Sequence, residues 1–195
     1  MLSRYLPVLL LVFCNQVFAG WTLNVDESDI HFVSIKKGSI AEVHTFDDIS
    51  GSVSDQGEFQ LVVNLSSVNT QIDIRNERMK EHLFEVQKFP LAKITGNVNA
   101  KRVNSLKVGQ KMSEKVSFSL ALHGQTITSS MLLSLTKMQD GIVRVRSIEP
   151  FIVNASQFDL SGGIEKLREL ASLPSIATAI PVTFSLEFVS ASSKK

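Results

Sequence analysis

The end of the chain reads IPVTFSLEF over residues 180–188, and its large apolar side chains stand at every second position. The even positions carry Ile, Val, Phe, Leu and Phe, whereas most of the odd positions between them carry Thr, Ser and Glu. Because successive side chains of a strand point to opposite faces, this pattern predicts a half-buried β-strand. Pro181 suits the entrance of a strand or the edge of a sheet.

The same alternation recurs along most of the chain. It predicts further strands over residues 21–25, 30–32, 39–46, 59–65, 91–100, 116–122, 127–136, 141–148 and 151–155. Gly and Asp fall between several of these strands, at residues 54–57, 123–125 and 139–141, where tight antiparallel connections need them. We therefore predict an all-β fold with minor helices, built as a closed barrel or a sandwich of eight or more short strands.

Two segments depart from the strand rhythm. Residues 73–88 place Met79, Leu83 and Val86 at helical spacing after an aspartate that can cap a helix. Residues 164–173 carry a second apolar stripe of helical period and end before Pro174. Gly162 and Gly163 precede this second helix, either as a hinge or as the residues of a tight turn.

The first 19 residues have the layout of a secretory signal. Arg4 precedes an apolar run from Leu6 to Phe13, and Ala19 ends a stretch that a signal peptidase can cleave. We predict a signal peptide over residues 1–19, a single domain over residues 20–195 and a periplasmic or secreted location. The only cysteine, Cys14, lies within the signal, so the exported chain has no disulfide or catalytic thiolate.

No familiar catalytic or metal-binding pattern is present. The four histidines lack the i, i+4 spacing of a zinc helix, and Glu42 and His44 only share a strand face. Neither a Gly-x-Ser-x-Gly elbow nor a phosphate-binding glycine loop occurs. The chain has 20 basic and 19 acidic side chains, and loss of Arg4 leaves 19 of each, which gives no reason to expect nucleic acid as a partner. We predict no catalytic residue, no metal and no cofactor other than a bound lipid.

An ordered set of short motifs resembles the YceI-like family of secreted bacterial proteins. The motifs are Trp21-x-Leu23, Ser28-x-Ile30-x-Phe32, Gly51, the run from His82 to Pro90, the run from Val116 to Gly124, Phe158-Asp159-Leu160, and the run from Ile180 to Phe184. The resemblance implies a lipocalin-like antiparallel barrel of about eight strands, with one helix after the middle strands and a short helix before the last strand. It also implies a long apolar tunnel that holds a polyisoprenoid or quinone-like lipid.

The resemblance and the strand alternation together suggest which residues meet that lipid. The candidates for the apolar tunnel are Phe32, Leu83, Phe84, Phe89, Phe118, Leu120, Leu122, Met131, Leu133, Phe158, Leu167, Phe184 and Leu186. The candidates for the polar head are Arg78, His82 and Asn154. A closed sheet has no free edge, so the entrance is expected at a barrel end, beneath one of the two helical segments.

The leading hypothesis is a non-enzymatic protein that transports, stores or sequesters an amphiphilic lipid. A secreted interaction or stress-response module with a filled core is the alternative, and a hydrolase or lipid-modifying enzyme of unfamiliar chemistry is a third. Transient contact with a membrane, the identity of the lipid and the oligomeric state are left open by the sequence.

Overall fold

The computed structural model describes residues 20–191, and the predicted signal segment lies outside them. It contains twelve strand segments: β1 Gly20–Leu23, β2 Asp29–Lys36, β3 Ile40–Phe46, β4 Ile49–Ser54, β5 Glu58–Asn64, β6 Val68–Asn69, β7 Leu91–Asn97, β8 Lys111–Leu122, β9 Gln125–Lys137, β10 Val143–Ser147, β11 Phe151–Asn154 and β12 Ala179–Ser190. All of their pairings are antiparallel.

Short helical elements connect the strands. They are α1 Asp73–Arg78, α2 Ala100–Asn104, α3 Ser161–Leu170, a π-helical turn at Met79–Leu83, and 3₁₀ turns at Val25–Glu27, Leu65–Ser67 and Ala155–Phe158. The helix expected after the middle strands is α1 with its π turn, and the short helix expected before the last strand is α3.

The twelve segments follow eight paths around one barrel. β1 and β2 lie on one path, since β12 pairs with both of them, and β10 and β11 lie on one path for the same reason. β3 and β4 lie on the path next to β1 and β2, because they pair with β2 and β1, and β5 and β6 lie on the following path, because they pair with β4 and β3. Neighbouring paths are consecutive in the chain, and the barrel closes where Trp21 of β1 pairs with Ser190 of β12. The predicted all-β, lipocalin-like antiparallel barrel of about eight strands is confirmed.

Two strands, β4 and the two-residue β6, were absent from the sequence prediction. β4 contains Ser50, Gly51, Ser52 and Ser54, so its composition resembles a loop and only Ile49 and Val53 supply an apolar signal. Gly51 lies close to its neighbours, because a Cβ atom there would approach the Gln60 carbonyl oxygen to 3.2 Å. The expectation that Val25 continues β1 was wrong, since this residue begins a 3₁₀ turn and is 45% exposed.

The helix bounds also differ from the expected ones. The helical segment that begins at Asp73 ends at Leu83 rather than at residue 88, because Glu85 adopts a left-handed conformation with φ of 46°. α3 begins at Ser161, so Gly162 and Gly163 lie inside its first turn rather than before it. Neither glycine has a positive φ, and the expected tight turn at this pair is therefore absent.

The two ends of the barrel are covered by different elements. α1, the π turn and α3 lie at the end where β2 turns into β3, since Arg75 of α1 contacts Glu42 and the loop after α3 pairs with Lys36. α2 follows β7 and lies at the opposite end, where Ala100 and Val103 are buried. The core between these covers forms one continuous cluster of buried apolar side chains.

Candidate functional site

A cavity of about 600 Å³ occupies the inside of the barrel. Its wall is almost wholly apolar, and the side chains come from the inward positions of the strands, as at Val116, Phe118, Leu120 and Leu122 on β8. This volume lies in the range of sites that enclose a small organic ligand.

Most of the residues predicted for the tunnel lie in the cavity wall. They are Phe32, Leu83, Phe84, Phe118, Leu120, Leu122, Met131, Leu133, Leu167, Phe184 and Leu186. Strand alternation selected the β-strand members, and the helical stripes selected Leu83 and Leu167. The structure thus brings these side chains together around one space.

Phe158 and Phe89 lie elsewhere. Phe158 is fully buried in the 3₁₀ turn after β11, and its carbonyl oxygen accepts a hydrogen bond of 3.0 Å from Nδ1 of His123. The ring of Phe89 packs at a tilt against that of His123, with 4.5 Å between their centroids. Neither phenylalanine contributes to the cavity wall, so both belong to the packing of the barrel end.

The cavity opens at the end covered by α1 and α3. Ile72 and Ile74 belong to its wall, yet they are 45% and 60% exposed. Ala171 and Ile176, from α3's C-terminal end and the loop that follows it, complete this rim. We call the opening between these residues the mouth. At the other end, Ala100 and Val103 of α2 are buried and close the cavity.

Charged side chains lie in the wall beside the mouth. Glu42 Oε2 is 2.8 Å from Lys36 Nζ and 2.8 Å from Arg75 Nη1, so one carboxylate pairs with two cations. The hydrogen bond from Lys36 holds the pKa of Glu42 below its usual value, although burial opposes the shift. Arg75 also donates from Nη2 to the Thr70 carbonyl oxygen at 2.7 Å, which fixes the guanidinium between α1 and β3.

His44 lies deeper in the wall than this ion-pair cluster. It is 3% exposed, its Nε2 is 2.8 Å from Ser34 Oγ, and its ring packs 5.1 Å from that of Phe32. Burial lowers its pKa to about 4, and the positive charge of Arg75 contributes to the shift. The imidazole is therefore neutral at physiological pH.

The predicted head-group residues are separated by the structure. Arg78 lines the cavity, and its Nη1 donates to the Leu170 carbonyl oxygen at 3.2 Å. His82 lies outside the wall, with Nε2 at 3.7 Å from Glu81 Oε2. Asn154 is exposed on the outer face of β11. Of the three candidates, only Arg78 is positioned beside the cavity.

The polar wall residues Ser34, Lys36, Glu42 and His44 were absent from the predicted set. The sequence did contain a signal for them, since they continue the inward alternation of Phe32 on β2 and of Phe46 on β3. Each inner face changes from aromatic to polar as it approaches the turn between these strands. That change marks the polar end of the cavity.

Because His44 is buried, we predict that the protein loses stability in mild acid. Its pKa is about 4 in the folded protein and about 6.5 in the unfolded chain, so only the unfolded chain gains a proton as the pH falls through 6.5. We expect the free energy of unfolding to fall by about 2 kcal/mol between pH 7 and pH 5. Urea unfolding at several pH values measures this loss, and the His44→Phe variant should lack most of it. An equal slope in the variant would contradict the assignment to His44.

The described part of the chain has neither a metal-binding cluster nor a membrane-spanning helix. Residues 20–191 contain no group of three or more His, Cys, Asp or Glu side chains placed to hold a metal ion. Within the same residues, no helix has the length and hydropathy needed to cross a membrane.

Comparisons with known proteins agree with this architecture. The family model of the YceI-like domain matches residues 21–188. A polyisoprenoid binding domain from Saccharophagus degradans, implicated in plant cell wall breakdown, is 39% identical, with a TM-score of 0.86 over 87% of this chain and 98% of its own. BcnA of Burkholderia cenocepacia shares the fold at 15% identity, with a TM-score of 0.67 over 85% of this chain and 98% of its own. No curated protein sequence matches this chain significantly.

Proposed function

Because this chain belongs to the YceI-like domain family, we propose that it is a binding protein that holds an amphiphilic isoprenoid lipid inside its barrel. The tail occupies the apolar cavity and the polar end lies toward the mouth. The 39% identical polyisoprenoid binding domain from Saccharophagus degradans supports this choice of ligand.

The observation that carries the proposal is the cavity itself. A space of about 600 Å³ with an apolar wall, one closed end and one open end fits a chain-like molecule whose two ends differ in polarity. Each CH₂ group that leaves water for such a wall contributes about 0.8 kcal/mol, so the tail supplies most of the affinity. The alternative, a module with a filled core, is disfavoured by the same cavity.

We propose further that the protein acts without catalysis, after export to the periplasm or the exterior, in the transport, storage or sequestration of its lipid. The exposed Ile72 and Ile74 at the mouth suit a brief contact with a membrane during loading. The signal-like N-terminus and the position of these two side chains support this proposal.

Filling the cavity should expel the lipid. Ala92 is 7% exposed and lines the cavity, so Ala92→Phe places a ring in the space that the tail needs. Ala121 stands between Leu120 and Leu122 on β8 and faces away from the cavity, which makes Ala121→Phe the matched control. We expect native mass spectrometry of exported protein to show that Ala92→Phe retains less than about half of the lipid that Ala121→Phe retains.

Circular dichroism must show that both variants remain folded, since added volume in a packed site costs about 1–3 kcal/mol. Equal retention by two folded variants would contradict a lipid in this cavity. The native mass spectra also report where the exported chain begins. A mass that still includes Cys14 would contradict cleavage after Ala19.

A further inference from the structure

The closed end of the cavity has a floor that is formed by α2. Ala100 and Val103 of this helix belong to the cavity wall and are 7% and 6% exposed. Both side chains are small, so a larger side chain at either position would occupy part of the cavity. We call the surface made by these two residues the floor.

Hydrogen bonds hold the floor in place. The side chain of Asn99 accepts a bond of 3.1 Å from the backbone N–H of Arg102, which caps α2. The backbone N–H of Asn99 donates to Glu114 Oε1 at 3.3 Å, and that of Val98 donates to the Gly57 carbonyl oxygen at 2.9 Å. These bonds tie α2 to β8 and to the turn between β4 and β5, so the floor has a fixed position in the barrel.

The depth of the cavity follows from the strands that line it. On β12 the wall positions run from Ile180 near the mouth to Phe188 near the floor. At about 3.4 Å per residue, this stretch of strand is about 27 Å long. Because barrel strands tilt by about 35–45° from the axis, the cavity is about 20 Å deep.

The two ends treat a long tail differently. At the mouth Ile72 and Ile74 are 45% and 60% exposed, so a bound molecule can extend past them into water. At the floor Ala100 and Val103 block further progress. Apolar groups gain affinity only while they leave water for the wall, so a tail longer than the cavity gains nothing from its extra length.

We propose that the floor, through Ala100 and Val103, sets the length of the lipid tail that the barrel selects. This inference rests on the proposed function, because it concerns the tail of the same bound lipid. With the polar end toward the mouth, the carbon atoms farthest from the head group are the ones that reach α2. Short tails end before the floor and are insensitive to it.

Three alcohols of increasing tail length test the inference: geraniol, farnesol and geranylgeraniol. Each competes with a bound fluorescent isoprenoid, and the concentration for half displacement is measured. We expect the parent protein to bind farnesol more tightly than geraniol, and geranylgeraniol more tightly than farnesol, because each added isoprene unit buries further apolar surface.

Two phenylalanine variants locate the origin of this preference. Ala100→Phe raises the floor by one ring, so it should weaken binding of geranylgeraniol about tenfold, remove its advantage over farnesol and leave geraniol unchanged. Ala171→Phe is the matched control, because it adds the same ring at the rim of the mouth, where every tail passes. It should change the affinities for all three alcohols by the same factor.

Circular dichroism reports whether the variants are folded. Ala100→Leu adds less volume than Ala100→Phe, and it should weaken binding of geranylgeraniol severalfold, again without changing that of geraniol. It provides the same test if Ala100→Phe does not fold.

Equal weakening of geraniol and geranylgeraniol by Ala100→Phe would contradict the inference, because the short tail would then also reach α2. An unchanged affinity for geranylgeraniol in the folded Ala100 variants would likewise remove the floor from the selection of length. In both cases the alcohols still displace the fluorescent lipid from the parent, so the proposed function stands. If none of the three alcohols displaces it, the proposed function falls together with this inference.

Discussion

Replacement of Phe158 by alanine should lower the free energy of unfolding by about 3–5 kcal/mol. This side chain is fully buried, so its removal leaves a void that the surrounding barrel cannot fill. Its backbone carbonyl oxygen also accepts the hydrogen bond from His123, and a void beside this contact would loosen the turn that joins β8 to β9. Equilibrium unfolding in urea measures the loss.

The control is Phe89→Ala, because Phe89 is only half-buried and also contacts His123, through its ring. It should cost less stability than Phe158→Ala. Since Phe158 lies outside the cavity wall, molecules of the variant that remain folded should keep their lipid. Loss of lipid from folded Phe158→Ala protein would instead indicate that Phe158 lines the tunnel, as predicted from the sequence. A stability loss below about 1 kcal/mol in Phe158→Ala would contradict the role of Phe158 in packing.

The contrast between Phe118 and Phe158 explains how far the sequence could predict the cavity wall. Phe118 lies in a long alternating run on β8, and alternation alone assigns its side chain to the inner face. Phe158 lies in a short 3₁₀ turn, where no repeat of two or of 3.6 residues determines a direction. Sequence reasoning therefore identified wall residues on strands and could not separate lining from packing in the turns.

The head-group candidates show a second limit of prediction from the sequence. Arg78 and His82 are four residues apart, so in a continuous α-helix they would occupy the same face. The π turn that begins at Met79 changes the number of residues per turn, and His82 is absent from the wall that Arg78 joins. Nothing in the charged run around these residues signals a π turn, and the turn itself packs against α3, which is distant in the sequence.

The polar residues of β2 and β3 show a third limit, of a different kind. Glu42 and His44 were correctly expected to share a strand face, but alternating polar residues are also what a solvent-facing strand displays. Only the closed barrel places that face inside, beside Arg75 of α1. The pairing of β12 with β1 and β2 is a contact between distant parts of the chain, and local patterns do not contain it.

Gly163→Ala should separate α3 from the π turn and speed the exit of the lipid. A Cβ atom at this position would lie 2.6 Å from the His82 carbonyl oxygen and 2.8 Å from the Leu83 Cα atom. Both are backbone atoms, so the clash can be relieved only if the helix and the turn move apart. Leu83 and Leu167 line the cavity from these two elements, and their separation widens the route to the mouth.

We expect Gly163→Ala to cost about 1–3 kcal/mol of stability and to raise the rate of lipid exit on the order of tenfold. Displacement of a fluorescent isoprenoid in a stopped-flow instrument measures the exit rate of the folded variant. Gly162→Ala is the control, because a Cβ atom at Gly162 meets nothing within 4 Å and alanine favours a helix by about 0.5–1 kcal/mol. If the pair were a hinge, both substitutions would slow exchange by stiffening the backbone. Faster exit in Gly163→Ala alone would instead identify the close contact between α3 and the π turn as the barrier that retains the lipid. Equal exit rates in the two variants would contradict this role of the contact.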